Sequence, residues 1–122
     1  MSFLVITRKS GESLILRAGN QSVQLVIRKV TSNEAKICYN ASCAVKIDTG
    51  LTMVSVSSSE PVIIKHSGND FEISGLKNEL GNPVFIGCSF LEVKRGHLKL
   101  GMQAESCVEI MRDELLSTEV EA

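Results

Sequence analysis

The fold is decided by a stretch that the chain carries twice, first as Lys36-Ile-Cys-Tyr-Asn-Ala-Ser-Cys-Ala-Val-Lys-Ile47 and again as Lys99-Leu-Gly-Met-Gln-Ala-Glu-Ser-Cys-Val-Glu-Ile110. Four of the twelve positions are identical, and the two copies lie 63 residues apart. An internal repeat of this kind indicates two copies of one structural unit. Two such copies can build a single pseudo-symmetric domain.

A second match lies upstream of the first. The segment Val62-Ile-Ile-Lys-His-Ser-Gly68 aligns with Val5-Ile-Thr-Arg-Lys-Ser-Gly11 at a spacing of 57 residues. The second copy therefore has about six extra residues, which we place within residues 75–81. We predict a first unit at residues 1–49, a linker rich in Ser, Thr and Gly at 50–60, and a second unit at 61–122, together forming one compact domain.

Short apolar runs separated by turns dominate both copies. Residues 22–30 alternate polar and apolar side chains, which is typical of a half-buried strand. Turn-forming residues recur every six to twelve positions, and this spacing predicts an all-β sandwich or barrel. The one helix signal is near the C-terminal end, where residues 112–119 combine good helix formers with two leucines.

Composition and charge narrow the functional classes. Hydrophobic residues make up 43% and aromatic residues only 4%, so we expect an aliphatic core. No segment approaches the ~20 apolar residues of a membrane span, and no signal peptide is recognisable, so we expect a cytoplasmic protein without membrane contact. The net charge of −1 divides into +4 for residues 1–50 and −5 for the rest. A basic half can hold a polyanion, although ordinary solvated surface is the alternative.

Cysteine and histidine are not spaced for metal binding or catalysis. The four cysteines include no C-x-x-C pair, and the two histidines do not stand at zinc-finger spacing from them. We interpret the cysteines as small buried hydrophobic residues. No nucleophile motif, phosphate loop or dinucleotide fingerprint is present. We therefore expect no metal, no cofactor and no enzymatic activity.

Three short motifs carry a further signal: Leu4-Val-Ile-Thr-Arg-Lys-Ser-Gly-Glu-Ser-Leu14, Ile37-Cys-Tyr-Asn-Ala41 and Val108-Glu-Ile-Met-Arg-Asp-Glu-Leu115. They resemble, in order, the opening, a central strand and turn, and the final strand of the carbon storage regulator (CsrA/RsmA) family. These proteins are small bacterial post-transcriptional regulators. The resemblance covers nearly the whole chain when it is read as two family units in tandem.

The resemblance implies an intertwined pair of five-stranded units, each with a helix, in which every RNA-binding surface joins the first strand of one unit to the last strand of the other. The implied ligand is a single-stranded GGA element in a messenger or small RNA, not DNA. The implied activity is translational regulation. The chain would then be a family homodimer fused into one molecule, a monomer with a pseudo-dimeric β-barrel or sandwich fold.

The resemblance also implies two unequal RNA sites. Site one would take its polar contacts and its apolar floor from two distant segments: Thr7, Arg8, Lys9 and Arg112, with Ile6, Val108, Ile110 and Met111. In site two the matching positions hold Ile64, Lys65 and His66, and Thr49 stands where site one has Arg112. We expect site one to be competent and site two to be degenerate.

The residues leave other interpretations open. Arg8 and Lys9 end an apolar strand, and charges at such a place also prevent edge-to-edge aggregation. The chain could instead be a protein-interaction module that pairs with or antagonises a homodimeric regulator of the same family. The cations Arg8, Lys9 and Arg112 favour RNA as the ligand, whereas the net acidity favours a protein partner.

Overall fold

A computed structural model describes residues 2–112, and these residues form β-strands connected by turns. The strands are β1 (Ser2–Lys9), β2 (Ser13–Ala18), β3 (Gln21–Val30), β4 (Ala35–Ala41), β5 (Val45–Asp48), β6 (Met53–Val56), β7 (Val62–His66), β8 (Phe71–Lys77), β9 (Pro83–Lys94), β10 (His97–Ala104) and β11 (Val108–Arg112). The predicted all-β class is confirmed. The predicted helix lies outside the described residues except for Arg112, which ends β11.

The strands form two antiparallel sheets. The six-stranded sheet has the order β1-β10-β9-β8-β5-β6, and the five-stranded sheet has the order β11-β2-β3-β4-β7. Each sheet has two edge strands, each with a hydrogen-bonded neighbour on one side only, so neither sheet closes on itself. The barrel form of the prediction is therefore wrong, and the two-sheet form describes the molecule.

The two halves of the chain exchange strands. The central strands β2, β3 and β4 of the first half lie between β11 and β7 of the second half, and β8, β9 and β10 lie between β1 and β5. The two orders are related strand by strand. Moving β1 and β5 six strands forward, and β8, β9 and β10 six strands back, converts the order β1-β10-β9-β8-β5 into β7-β4-β3-β2-β11. Consequently, each sheet needs both halves of the chain.

The segment predicted to be a linker contains an additional strand. Residues 53–56 form β6, which pairs with β5 at the edge of the six-stranded sheet. The sequence Met53-Val-Ser-Val56 is rich in β-branched residues, and Val56 is buried. A strand therefore forms there although the surrounding Ser, Thr and Gly residues are typical of loops.

One aliphatic core lies between the sheets. Both sheets contribute fully buried side chains to it, among them Leu14, Leu16, Leu25, Ile27, Ile37, Ile47, Ile73, Ile86, Leu98 and Leu100. Burying each such side chain contributes about 1.5–3 kcal/mol from the hydrophobic effect. None of the described residues belongs to a helix long and apolar enough to cross a membrane.

A bulge at Gly75 brings two strands unusually close. The pairing of β8 with β9 shifts register between Ile73 and Leu76, and Gly75 lies within the shift with a φ of 108°. A Cβ atom added there would lie 2.7 Å from the carbonyl oxygen of Ala44 and 2.9 Å from the Cα of Val45. Only glycine combines this positive φ with so close a backbone neighbour.

Replacing Gly75 by alanine should therefore destabilise the fold by about 2–5 kcal/mol, the sum of backbone strain and overpacking. Gly81 is the matched control, because it also has a positive φ, 81°, but has open space around its Cβ position. Gly81→Ala should cost only the strain, about 1–2 kcal/mol. Urea unfolding of the three proteins measures the difference, and equal losses from both variants would contradict the assigned contact.

Candidate nucleic-acid interface

The first strand of predicted site one alternates between core and surface. Ile6 is buried, and Thr7 and Lys9 are exposed. Because strand side chains alternate with a period of two, Arg8 shares the inward face with Ile6. Only 4% of Arg8 is exposed. Its Nε donates to the Thr7 carbonyl at 2.9 Å. Arg8, expected among the surface contacts, is therefore an interior residue.

A tight turn fixes the position of Lys9. The Lys9 N–H donates to Glu12 Oε1 at 2.7 Å, and the Glu12 N–H donates to the Lys9 carbonyl at 3.0 Å. The Gly11 N–H donates to the carbonyl of Ile27 at 2.7 Å, which ties the turn to the five-stranded sheet. The cationic end of β1 is thus held at the junction of the two sheets.

The last strand, β11, reaches the same corner. Arg112 is exposed and pairs with Leu14, two residues beyond the turn that carries Lys9. Ile110 and Met111 are half-buried and Val108 is buried, so β11 offers part of its apolar surface beside Arg112. The end of β11 therefore lies beside the start of β2, which follows the end of β1 after a three-residue turn.

Further cations lie at this corner that the sequence alone did not assign to it. Lys99 is exposed on β10 directly opposite Thr7. Arg95 lies in the turn between β9 and β10, and the next residue, Gly96, accepts a hydrogen bond from the Ser10 N–H at 3.2 Å. We call the four exposed cations Lys9, Arg95, Lys99 and Arg112 the basic corner. Their sequence signal is weak because they come from three segments that are distant along the chain.

The second predicted site has a different environment. Thr49, the counterpart of Arg112, is only 7% exposed. Its hydroxyl donates to the Thr52 carbonyl and accepts from the N–H groups of Leu51 and Thr52, within the turn that leads into β6. Because β6 pairs with β5, the strand that carries this end of site two has no open edge.

The pairing of β7 corrects the alignment of the two halves. Lys36 and Lys99 are the first residues of the two repeat copies and so are counterparts. Lys65 lies opposite Lys36, as Thr7 lies opposite Lys99. The counterpart of Thr7 is therefore Lys65 rather than Ile64. The correspondence predicted from sequence is one residue out, because Thr7 and Leu14 are seven residues apart, whereas their counterparts by strand register, Lys65 and Phe71, are six apart.

By the same register, buried His66 corresponds to buried Arg8. Only 2% of His66 is exposed, and its Nε2 lies 2.7 Å from the Tyr39 hydroxyl. Its ring also packs against Phe71 and Phe90, with centroids 4.6 and 5.4 Å away. His66 is therefore a core residue and not a surface contact, whereas Lys65 is exposed and forms an ion pair with Glu34 at 3.0 Å.

Metal ligands do not assemble within residues 2–112. No group of three or more His, Cys, Asp or Glu side chains in that range could hold a metal ion. Burial raises the pKa of the Cys88 thiol, and the nearby charge of Asp70 raises it further, so this thiol stays protonated.

Comparisons of the chain with protein-family models, with curated proteins and with solved structures find no match. The assignment of a function therefore depends on the geometry and charge of the corner itself.

Burial lowers the pKa of His66 from 6.5 to about 4. Between these values the unfolded chain binds a proton that the folded chain does not, so the free energy of unfolding should fall as the pH falls from 6.5 to 4. The loss should be about 3 kcal/mol from this residue. His66→Gln should remove this part of the pH dependence, as chemical denaturation at several pH values would measure.

The same substitution at the exposed His97 is the matched control for the exchange of histidine for glutamine. A parent and a His66→Gln variant with the same slope of stability between pH 4 and 6.5 would show that His66 titrates normally in the folded state.

Proposed function

We propose that the chain binds single-stranded RNA containing a GGA element at the basic corner and acts as a post-transcriptional regulator. The observation that carries the proposal is that Arg112, at the exposed end of β11, lies opposite Leu14 of β2, and that Lys9, at the end of β1, lies in the turn that leads into the same strand. This is the combination of first and last strand that the family resemblance implies for an RNA site.

The chemistry of the corner suits a single strand. Lysine and arginine side chains neutralise phosphates, and the planar guanidinium of Arg112 can donate two hydrogen bonds to the O6 and N7 of a guanine. Ile110, half-buried on the same face of β11 as Arg112, offers apolar surface on which an unstacked base can pack, and Met111 lies on the opposite face. Lys99 and Arg95 extend the positive charge along the path of the backbone.

The exchange of strands between the halves supports a fused pseudo-dimer. A homodimer of five-stranded units that donate their first and last strands to each other would have the same strand order in both sheets. The two sheets have that order, apart from the additional β6. A chain that carries both units needs no partner copy to complete its sheets, so the proposal includes a monomer.

The two corners are not equivalent, which supports one RNA per chain. The corner at β5 and β7 has Thr49 in place of an arginine, Asp48 beside it, and β6 along the edge of β5. A carboxylate repels phosphate, and a covered strand edge excludes a ligand. Substituting an arginine for Thr49 would therefore place a cation in a buried position rather than create a second site.

Titration of a GGA hairpin tests the proposal. Arg112→Ala should weaken binding by about 5- to 150-fold, the factor expected from losing 1–3 kcal/mol of guanine contact, and should reduce the preference over a hairpin without GGA. Lys99→Ala should weaken both hairpins alike and lower the slope of log K against log salt by about 1. Fluorescence anisotropy at several salt concentrations measures both effects.

Lys46 is the matched control for charge. It is exposed on β5, four strands from β1, at about 19 Å by the usual strand spacing. Lys46→Ala should bind both hairpins as the parent does. Equal affinity of the parent for the two hairpins, or equal losses from Lys46→Ala and Arg112→Ala, would contradict the proposed site.

A further inference from the structure

The outward surface of the six-stranded sheet contains a trough that the RNA proposal does not use. Five side-chain positions form one row across the sheet as successive cross-strand partners: Phe3, Gln103, Gly87, Glu72 and Asp48. In the middle of this row Gly87 has no side chain. The row thus has an aromatic ring at one end, carboxylates at the other, and a gap between them.

The gap continues as a hollow of about 320 Å³. Phe3 lies on one side of it, and Asp48, Asp70 and Glu72 lie on the other. At its floor, the position that a Cβ of Gly101 would take is covered by the Phe3 ring and the Leu91 side chain. The position over Gly87 is open, because the nearest atom to an added Cβ would be the carbonyl oxygen of Gln103 at 4.0 Å.

Large apolar side chains stand exposed on the same face. Phe3, Phe85 and Leu91 are 61%, 53% and 47% exposed, and Val5 lies beside Gly101 in the next row. Clustered exposed apolar residues on a soluble protein mark an interaction surface more often than isolated ones do. An occupant of the trough should therefore offer apolar side chains toward β1 and β9.

The carboxylates on the other side of the trough determine which charged group its ligand carries. None of the ion pairs between described residues includes Asp48, Asp70 or Glu72. Three neighbouring carboxylates repel a phosphate backbone and attract a cation. A nucleic acid therefore does not fit this face, whereas an arginine or lysine side chain does.

We propose that this trough binds an extended segment of a partner protein in which an arginine or lysine alternates with large apolar side chains. Three strand spacings separate Phe3 from Glu72, about 14 Å, which leaves room for one extended chain with side chains reaching both walls. A polyamine would satisfy the carboxylates but leave the apolar wall exposed. The proposal is independent of RNA binding, because it uses none of the residues of the basic corner.

Gly87 provides a sharp test. Its φ is not in the left-handed region and an added methyl would meet no close neighbour, so Gly87→Ala leaves the fold intact while it fills the floor of the trough. The double variant Asp48→Asn/Glu72→Gln removes two of the three charges without changing side-chain size. Glu79→Gln/Glu105→Gln is the matched control, because both acids are exposed outside the hollow.

The measurement is a ¹⁵N chemical-shift titration of the whole chain with the acetylated, amidated peptide Leu-Arg-Leu-Arg-Leu. We expect shifts at Phe3, Gly87, Gly101 and Glu72, and at least tenfold weaker binding by both trough variants but not by the control variant. The peptide Leu-Glu-Leu-Glu-Leu should cause none of these shifts.

Three results would overturn the proposal. The first is an absence of shifts at millimolar Leu-Arg-Leu-Arg-Leu, or shifts confined to another surface. The second is equal binding of spermidine, which would show that the carboxylates act alone. The third is unchanged affinity of either Gly87→Ala or Asp48→Asn/Glu72→Gln for the peptide. The ¹⁵N spectrum of each variant without peptide establishes that it is folded.

Discussion

The pairing of β1 with β10, and its counterpart between β7 and β4, is the interaction on which the rest of the molecule depends. Each pairing attaches the first strand of one half to the last central strand of the other half. Since each sheet contains strands from both halves, the core can close only when distant parts of the chain meet. Such non-local pairing is slow to form but makes the halves mutually dependent.

The same exchange determines where ligands can bind. It places the ends of β1 and β11 at one corner, so cations from remote segments converge there. At the opposite corner, β6 covers β5 and the turn after β5 buries Thr49. A single short strand from the connecting segment thus distinguishes two corners that the strand order alone would make alike. The strand β6 thus leaves only the basic corner open for the RNA that we propose as ligand.

The sequence predicts the structure correctly where a residue pattern is compatible with only one kind of secondary structure. The alternation along residues 22–30 and the spacing of turns are sufficient for the all-β class, and the composition is sufficient for an aliphatic core without identifying its members. The family resemblance places Arg8 and His66 at surface sites, but the period-two pattern of their strands puts both on the buried face with Ile6 and Ile64. Residues 53–56 were missed because serine and threonine favour loops, and only the open edge of β5 makes a strand there. Lys99 and Arg95 join the corner through long-range pairing, which no local pattern reveals.

Photo-crosslinking tests the central claim most directly. A hairpin with 4-thiouridine beside its GGA element would be irradiated with the whole chain, and the attached peptides identified by mass spectrometry. The account predicts crosslinks within residues 6–9 and 108–112, with one RNA per chain, and none at Thr49 or within residues 63–66. Crosslinks concentrated at β5 and β7, or distributed evenly over both corners, would contradict it.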